Sequence, residues 1–123
     1  MKTLKVRLPG RGYDIDIGLN ILQEKLPKVV LKKNAELVVV VTNESLNNLY
    51  PEHVNKIFNN SGIRIVTCVL PDGEQYKNLD TLSQIFDFLM EVNANRQTLL
   101  IAFGGGVIGD MAGFAAATFF RGI

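Results

Sequence analysis

The sequence contains few of the residues from which disulfide frameworks and metal centres are built. Its 123 residues include one cysteine, Cys68, and one histidine, His53. A disulfide within the chain is therefore excluded, and so is a zinc site made only of the usual Cys and His ligands. Cys68 stands in an apolar run and is interpreted as a core residue. His53 follows Glu52 in a polar segment and is interpreted as a solvated surface residue.

The sequence also lacks an excess of charge of either sign. The chain has 13 Lys and Arg against 12 Asp and Glu, a net charge of +1. The charges are spread along the sequence, so neither a basic face that could follow a phosphate backbone nor an acidic tail is present. We expect no nucleic-acid partner.

A secretory signal is not found either. The first residues are basic, but they lack the apolar stretch of roughly 7 to 15 residues that such a signal needs. The segment between Arg96 and Arg121 is long enough to cross a bilayer, yet three glycines and the near-central Asp110 argue against insertion. We expect a cytoplasmic chain with no membrane contact.

Three short apolar runs have the composition of strands that are buried on both faces: Leu37–Val41, Ile63–Leu70 and Leu99–Phe103. Segments with helical spacing separate them and give the order β-α-β-α-β-α, which favours parallel pairing through right-handed crossovers. We predict one α/β domain over residues 1–123, with a Rossmann-like, open, mostly parallel sheet and helices on both faces.

The remaining elements are predicted from turn and helix signals. Leu4–Leu8 and Tyr13–Ile17 flank a Pro-Gly-Arg-Gly turn, which predicts a hairpin at the sheet edge. One helix is predicted over Ser45–Asn60 with a break at Pro51, and another from Leu79 to Leu89. A third, Val107–Phe120, is apolar on all sides, so we expect it to be buried nearly all round.

The clearest chemistry lies in the last strand and the glycines after it. The strand leads into Gly104, Gly105 and Gly106 and then into a helix, an arrangement that lets a diphosphate approach the backbone and the free amides of a helix end. The alternative is a tight turn that packs against a neighbour. Asp110 either stabilises the helix dipole or has a defined partner such as a ligand amide.

Two other loops come directly after predicted strands and should meet the glycine loop at one edge of the sheet. In the segment from Pro71 to Asn78, Glu74 and Lys77 either contact a ligand or form an ordinary surface ion pair. Asn43 either bonds a ribose hydroxyl or caps the next helix. Arg121 either binds a phosphate or provides a charge at a helix end.

Two motifs in this order carry a resemblance to a known family. PDGEQYKN at positions 71–78 and GGGVIGDMAGFAAATFFRGI at positions 104–123 resemble the 3-dehydroquinate synthase family. Either motif alone is similar to the wider group of sugar phosphate cyclases and glycerol dehydrogenases. The resemblance covers the whole chain, but the chain covers only the amino-terminal, nucleotide-binding part of a family with two domains.

The resemblance implies an NAD-dependent, metal-assisted lyase of the shikimate pathway. In such enzymes 3-deoxy-arabino-heptulosonate 7-phosphate is converted to 3-dehydroquinate and phosphate, and NAD is regenerated in each turnover. The cofactors implied are NAD and a divalent metal, zinc or cobalt. The partners implied are a small sugar phosphate and, in a homodimer, a second copy of the chain.

The resemblance also implies roles for individual residues of this sequence. Arg121 is similar to a ligand of the substrate phosphate, Asp110 to a residue near the nicotinamide amide, and Asn43 stands where some relatives have an aspartate that contacts ribose. The implied cofactor-binding residues are Asn43, Asp72, Gly73, Glu74, Gln75, Tyr76, Lys77, Gly105, Gly106, Val107, Ile108, Gly109 and Asp110.

In the family, the zinc ligands and the active-site lysines lie in sequence that would come after Ile123. We therefore expect a chain cut before the helical, metal-binding domain, with no catalytic or metal-ligating residue of its own. Such a chain should be inactive and bind NAD weakly or not at all. The alternatives are the corresponding domain of a metal-dependent glycerol or polyol dehydrogenase and a stand-alone nucleotide-binding module.

Overall fold

A computed structural model describes residues 1–123. The strands are β1 (Lys2–Val6), β2 (Tyr13–Ile17), β3 (Leu37–Asn43), β4 (Arg64–Leu70) and β5 (Leu99–Ala102). The helices are α1 (Leu22–Lys33), α2 (Glu44–Leu49), α3 (His53–Ile57), α4 (Leu79–Glu91) and α5 (Gly106–Thr118), with 3₁₀ turns at Glu74–Tyr76 and Phe119–Arg121.

The three predicted core strands form a parallel sheet in the order β4-β3-β5. Val41 lies opposite Cys68 on one side and opposite Ala102 on the other. The central strand β3 is buried on both faces, as its unbroken β-branched sequence predicts. The predicted α/β order is confirmed.

Helices cover both faces of this sheet, also as predicted. Because side chains alternate along a strand, Val39 and Val41 pack into a core with α4 and α5, whereas Val38 and Val40 pack with Val30 of α1 on the other face. The predicted second helix is present as two short helices, α2 and α3, with the break at Pro51. No helix in the structure combines the length and hydrophobicity needed to cross a membrane.

The amino-terminal hairpin forms, but its predicted place at the edge of the sheet is wrong. β1 and β2 pair antiparallel in a two-stranded sheet of their own, and β1 lies two residues earlier than predicted. Their residues are mostly exposed, including Leu4 and Ile15. Alternating charged and apolar side chains bury little on either face, unlike the strands of the parallel sheet.

Helix α1 is not predicted from the sequence. Pro27 lies inside it and its first residue has no side-chain cap, two features that lower a helix prediction. The signals in its favour are weaker: Lys32 and Lys33 lie in the last turn, and Asn34 ends the helix in the left-handed conformation. Contact of Val30 with the sheet supplies the stability that the local sequence lacks.

The expectation that the last helix is buried nearly all round is wrong. Ile108, Met111 and Ala115 of α5 are buried against the sheet and α4, but Phe114 is 55% exposed. The helix also ends at Thr118, because Phe120 and Arg121 adopt positive φ angles of 49° and 62°. A uniformly apolar helix shows no preferred inner face in its sequence, so the sheet decides which side is covered.

Candidate functional site

The three loops singled out by sequence leave the carboxyl ends of β3, β4 and β5. Since the strands are parallel, these ends lie at one edge of the sheet, where open α/β sheets bind their ligands. Asn43 ends β3, the segment from Pro71 to Lys77 comes after β4, and Gly104–Gly106 come after β5. The structure therefore brings the predicted cofactor-binding residues to a common edge.

Asn43 has the capping role, one of its two predicted alternatives. Its Oδ1 accepts a hydrogen bond of 2.9 Å from the backbone N–H of Leu46, in the first turn of α2. The backbone of Asn43 is extended, as is usual for a residue that precedes a helix. A second role in binding a ribose hydroxyl stays a prediction.

Asp72 joins the loop after β4 to the start of α2. Its carboxylate accepts one hydrogen bond of 2.5 Å from Ser45 Oγ and one of 3.1 Å from Ser45 N–H. The hydrogen bond from the Ser45 side chain has the larger effect, and together the two bonds hold the pKa of Asp72 below its ordinary value. The next residue, Gly73, has a φ of 113°, which few side chains tolerate.

Lys77 and Asp110 form an ion pair that links the β4 loop to α5. Lys77 Nζ lies 2.6 Å from Asp110 Oδ2, and both side chains are partly exposed. The hydrogen bond and the negative charge of Asp110 raise the pKa of Lys77, and the charge of Glu74 adds to this effect. An ion pair between Glu74 and Lys77 is not formed. Asp110 thus has the defined partner that was expected, and this partner is a side chain.

The glycine loop leaves backbone amides open at the start of α5. The first hydrogen bond of the helix runs from Gly109 N–H to Gly105 C=O, 2.9 Å, so the N–H groups of Gly106, Val107 and Ile108 have no acceptor within the helix. Apart from the adjacent residues and the backbone of the helix itself, no atom lies within 4 Å of the Cβ position at Gly105, Gly106 or Gly109. This end of the helix can therefore receive an anion at close range.

Gly104 and Ile108 play structural roles in the same loop. A Cβ at Gly104 would lie 2.8 Å from Ile108 Cβ, so Gly104 permits the close packing of the loop on the helix. Ile108 itself is only 2% exposed. Of the atoms of Ile108, the backbone N–H is the one that can reach a ligand, and the prediction of this residue as a cofactor contact is limited to that group.

An apolar cleft of about 460 Å³ lies between the start of α4 and the outer side of α5. The Lys77–Asp110 ion pair forms part of its wall. The other lining residues are Asn78, Leu79, Leu82, Met111 and Phe114. The cleft has the size and the mixture of apolar and charged groups that small-molecule sites show.

Arg121 is not brought together with the other predicted residues. It lies after the end of α5, which has 13 residues. At about 1.5 Å per residue, roughly 18 Å separates this end from the glycine loop. Helices that come after parallel strands run back along the sheet, so within one chain Arg121 lies near the opposite edge.

The interpretation of His53 as a solvated surface residue is wrong, because it is half-buried in an aromatic cluster. Its ring stacks on Phe103 at 5.9 Å, and Tyr50 meets both rings edge-on at 5.9 and 6.2 Å. Phe103 directly precedes the glycine loop. The one available sequence signal is the spacing of Tyr50 and His53, which places them on one side of a helical turn.

Comparison with known proteins identifies relatives over the whole chain. The family model described as 3-dehydroquinate synthase N-terminal matches residues 67–123. The 3-dehydroquinate synthase of Acinetobacter baylyi is 45% identical over 123 residues, and that of Hydrogenovibrio crunogenus is 48% identical over 124 residues. These matches include all of this chain but only 33% and 34% of the relatives, so the chain spans about a third of their length.

Solved structures share the fold. A 2-deoxy-scyllo-inosose synthase superimposes over 99% of this chain and 33% of its own, with a TM-score of 0.85 and 23% identity. The 2-epi-5-epi-valiolone synthase of Streptomyces hygroscopicus superimposes over 95% of this chain and 32% of its own, with a TM-score of 0.74 and 22% identity. At this identity the likeness supports the α/β fold. The sequence matches confirm the predicted resemblance: the whole chain is similar to 3-dehydroquinate synthases, and residues 67–123 match the amino-terminal model of that family.

Proposed function

We propose that this chain is the NAD-binding part of a 3-dehydroquinate synthase. The whole-length similarity to enzymes of that name supports the family of reactions. Two of the solved neighbours are described with NAD⁺ and with Co²⁺ or Zn²⁺, and one of them also with carbaglucose-6-phosphate. The proposed reaction is the conversion of 3-deoxy-arabino-heptulosonate 7-phosphate to 3-dehydroquinate and phosphate.

The observation that carries this proposal is the open start of α5. Three N–H groups without helical acceptors, at Gly106, Val107 and Ile108, stand beside glycines whose Cβ positions face open space. A diphosphate needs this combination of close backbone approach, free donors and the positive end of a helix dipole. The residues present therefore fit the diphosphate of NAD.

The neighbouring side chains fit the rest of a dinucleotide. Lys77 and Asp110 supply a cation and a carboxylate at the wall of the apolar cleft, and Glu74 lies in the same loop. Because Lys77 and Asp110 already satisfy each other, a cofactor that contacts either one must compete with their ion pair or share it. Asp72, which holds the loop to Ser45, acts here as a positioning residue.

When bound, NAD would supply reversible oxidation of a substrate alcohol. This chain binds and orients the cofactor at the sheet edge. No three His, Cys, Asp or Glu side chains gather into a metal site in the structure. That the metal of the whole enzyme is held by residues outside this chain stays a proposal. We keep Arg121 as the proposed ligand of the substrate phosphate. That phosphate would then bind at the carboxyl end of α5, away from the glycine loop at its amino end.

The binding of NAD can be tested by an NMR titration of the 123-residue chain with NAD⁺ and with ADP. We expect weak binding, with amide shifts at residues 105–110 and 72–77. Gly105→Ala should weaken it at least tenfold, because a methyl group fills the space that the diphosphate would occupy. Gly113→Ala is the matched control, since it also has open space around its Cβ position but lies two turns along α5. Shifts confined to other parts of the chain, or equal weakening by Gly105→Ala and Gly113→Ala, would contradict the proposal.

Catalysis by the isolated chain is a separate question. We propose that it is inactive, because the residues assigned above bind the cofactor or a phosphate and none of them is assigned a catalytic role. A coupled assay for phosphate release from the heptulosonate phosphate should show no turnover above the background without protein. Measurable turnover, retained after further purification, would refute the assignment of a binding role alone.

We also propose that a second copy of the chain covers the outer side of α5. Phe114 of α5 and Phe120 in the turn after it are 55% and 52% exposed, and exposed apolar side chains favour association. Sedimentation should show a concentration-dependent dimer that Phe114→Ser weakens. A monomer at millimolar concentration would contradict this proposal.

A further inference from the structure

A narrow crevice lies on the sheet face that α1 and α3 cover, away from the cleft beside α5. It runs between the end of β3, the α2–α3 segment and the aromatic cluster. Its lining residues are Val40, Thr42, Asn47, Tyr50, Glu52, His53, Val54, Asn55, Thr67 and Phe103. The space open to the centre of a water-sized sphere is about 10 Å³. A nucleotide or sugar needs a volume many times larger, of several hundred Å³.

The crevice holds a polar atom that lacks a partner. Thr42 is 2% exposed, and its Oγ1 makes no hydrogen bond to any protein group. The side chain of Thr42 points to the same face as Val40, because the two residues are two apart on β3. Nearly all buried hydroxyl groups in proteins are hydrogen-bonded, so this atom requires a ligand.

Other polar groups surround the same space. Thr67 lies opposite Val40 on the neighbouring strand β4, and its side chain is on the same face as Thr42. Asn55 of α3 donates a long hydrogen bond of 3.5 Å to Ile65 C=O, which leaves its Oδ1 as an acceptor. A water molecule can bond two to four such groups, and a space that admits the centre of a water-sized sphere has room for one.

We propose that this crevice binds one ordered water molecule, which bonds Thr42 Oγ1 and bridges β3 to β4 and α3. The water fastens α3 to the sheet beside the rings of His53 and Phe103. This matters for the chain because α2 and α3 have six and five residues, too few to be stable without such contacts. The inference does not depend on the proposed cofactor.

The test compares Thr42→Val, Thr67→Val and the double variant in the 123-residue chain. If water bridges the two hydroxyls, each single change should lower the midpoint of thermal unfolding by about 4 °C. The double change should then lower it by much less than the sum, because either substitution alone breaks the bridge. Thr42→Ser keeps the hydroxyl, so its midpoint should fall by no more than half as much as that of Thr42→Val.

Hydrogen exchange adds a local measurement. The amides of α3 should exchange faster in Thr42→Val by a larger factor than those of α4, on the other face, which report only the change in global stability. An unchanged or higher midpoint in Thr42→Val would overturn the proposal, since valine would then only remove an unpaired hydroxyl from a dry site. A high-resolution crystal structure of the unsubstituted chain decides the matter if a variant fails to fold. Density for one water supports the proposal, and an empty crevice or a cation with four or more oxygen ligands refutes it.

Discussion

At the scale of single residues, the hydrogen bonds of the sheet edge lie between side chains that are far apart in sequence. Asp72 bonds Ser45, 27 positions away, and Lys77 bonds Asp110, 33 positions away. Each pair joins the loop after β4 to a helix that follows a different strand. The geometry of the candidate site therefore depends on a few exposed polar bonds, which solvent and salt weaken.

The titration of Asp72 reports one of these bonds directly. Its pKa is lower in the folded chain than the ordinary value of 3.8. The interaction therefore stabilises the fold above that pH and is lost as the pH falls through the lower pKa of the folded state. In an NMR titration of its carboxyl carbon, we expect Ser45→Ala to move the pKa of Asp72 back toward 3.8. The exposed change Ser83→Ala should leave it unaltered, and an equal effect of both changes would rule out the assigned bond.

At the scale of elements, α4 and α5 begin in different ways. Asn78 caps α4, since its Oδ1 accepts a hydrogen bond of 2.9 Å from Thr81 N–H. Its Nδ2 donates a hydrogen bond of 3.1 Å to Gln75 C=O. Gly105 precedes α5 in the N-cap position and has no side chain with which to cap it. One helix start is satisfied by its own sequence, and the other remains open to an external anion.

The cap of α4 can be measured by substitution. We expect Asn78→Ala to lower the free energy of unfolding by about 1 kcal/mol, the usual cost of losing such a cap. Asn78→Ser, which retains a side-chain acceptor, should recover most of this loss in urea denaturation. If serine is no better than alanine, the cap does not stabilise the helix as proposed.

Two adjacent glycines of the α5 loop should respond differently to the same substitution. Gly104→Ala places a methyl group 2.8 Å from the Cβ of buried Ile108, so we expect a loss of about 1 to 3 kcal/mol. Gly105→Ala meets no atom within 4 Å and should change stability by no more than about 0.5 kcal/mol. Urea denaturation of the two variants gives both values, and equal losses would contradict the packing described.

At the scale of the whole molecule, the one thiol reports on the core. Cys68 lies in β4 and is 5% exposed. Desolvation by burial raises its pKa from 9.0 to about 11. The neutral thiol is thus favoured in the folded state, and stability is present in full below pH 9.0 and declines as the pH approaches about 11.

This decline is a prediction about global unfolding. Between pH 9 and pH 11 we expect Cys68 to lower the free energy of unfolding by about 1.4 kcal/mol per pH unit. Lysine and tyrosine side chains also ionise in this range, so the contribution of the thiol is the difference in slope between the natural chain and Cys68→Val. Identical slopes in the two proteins would show that the thiol is not protected by the fold.

The sequence predicted the parts of this molecule in which local pattern and burial agree. The strands β3, β4 and β5 are short apolar runs whose burial on both faces requires a parallel, helix-covered sheet. The glycine loop and the segment from Pro71 to Asn78 were placed correctly at one edge, because the carboxyl ends of parallel strands always meet there. Their roles as cofactor contacts remain predictions.

The prediction failed where tertiary packing overrides local signals. α1 forms despite Pro27 because Val30 packs on the sheet, and the hairpin pairs only with itself because neither of its faces is buried. His53 was expected at the surface, yet Phe103, 50 positions later, stacks against it. Contacts over such distances leave no trace in a local pattern.

The sequence by itself determined the class of fold, the edge of the sheet that carries the loops and the family resemblance, since these depend on periodicity, glycine spacing and two continuous motifs. The tertiary structure alone decided which groups meet there. It paired Lys77 with Asp110 and Asp72 with Ser45, and it set Arg121 at the far end of α5. The physical reason is that strand order and helix direction bring distant residues together, and neither can be read from one segment of the chain.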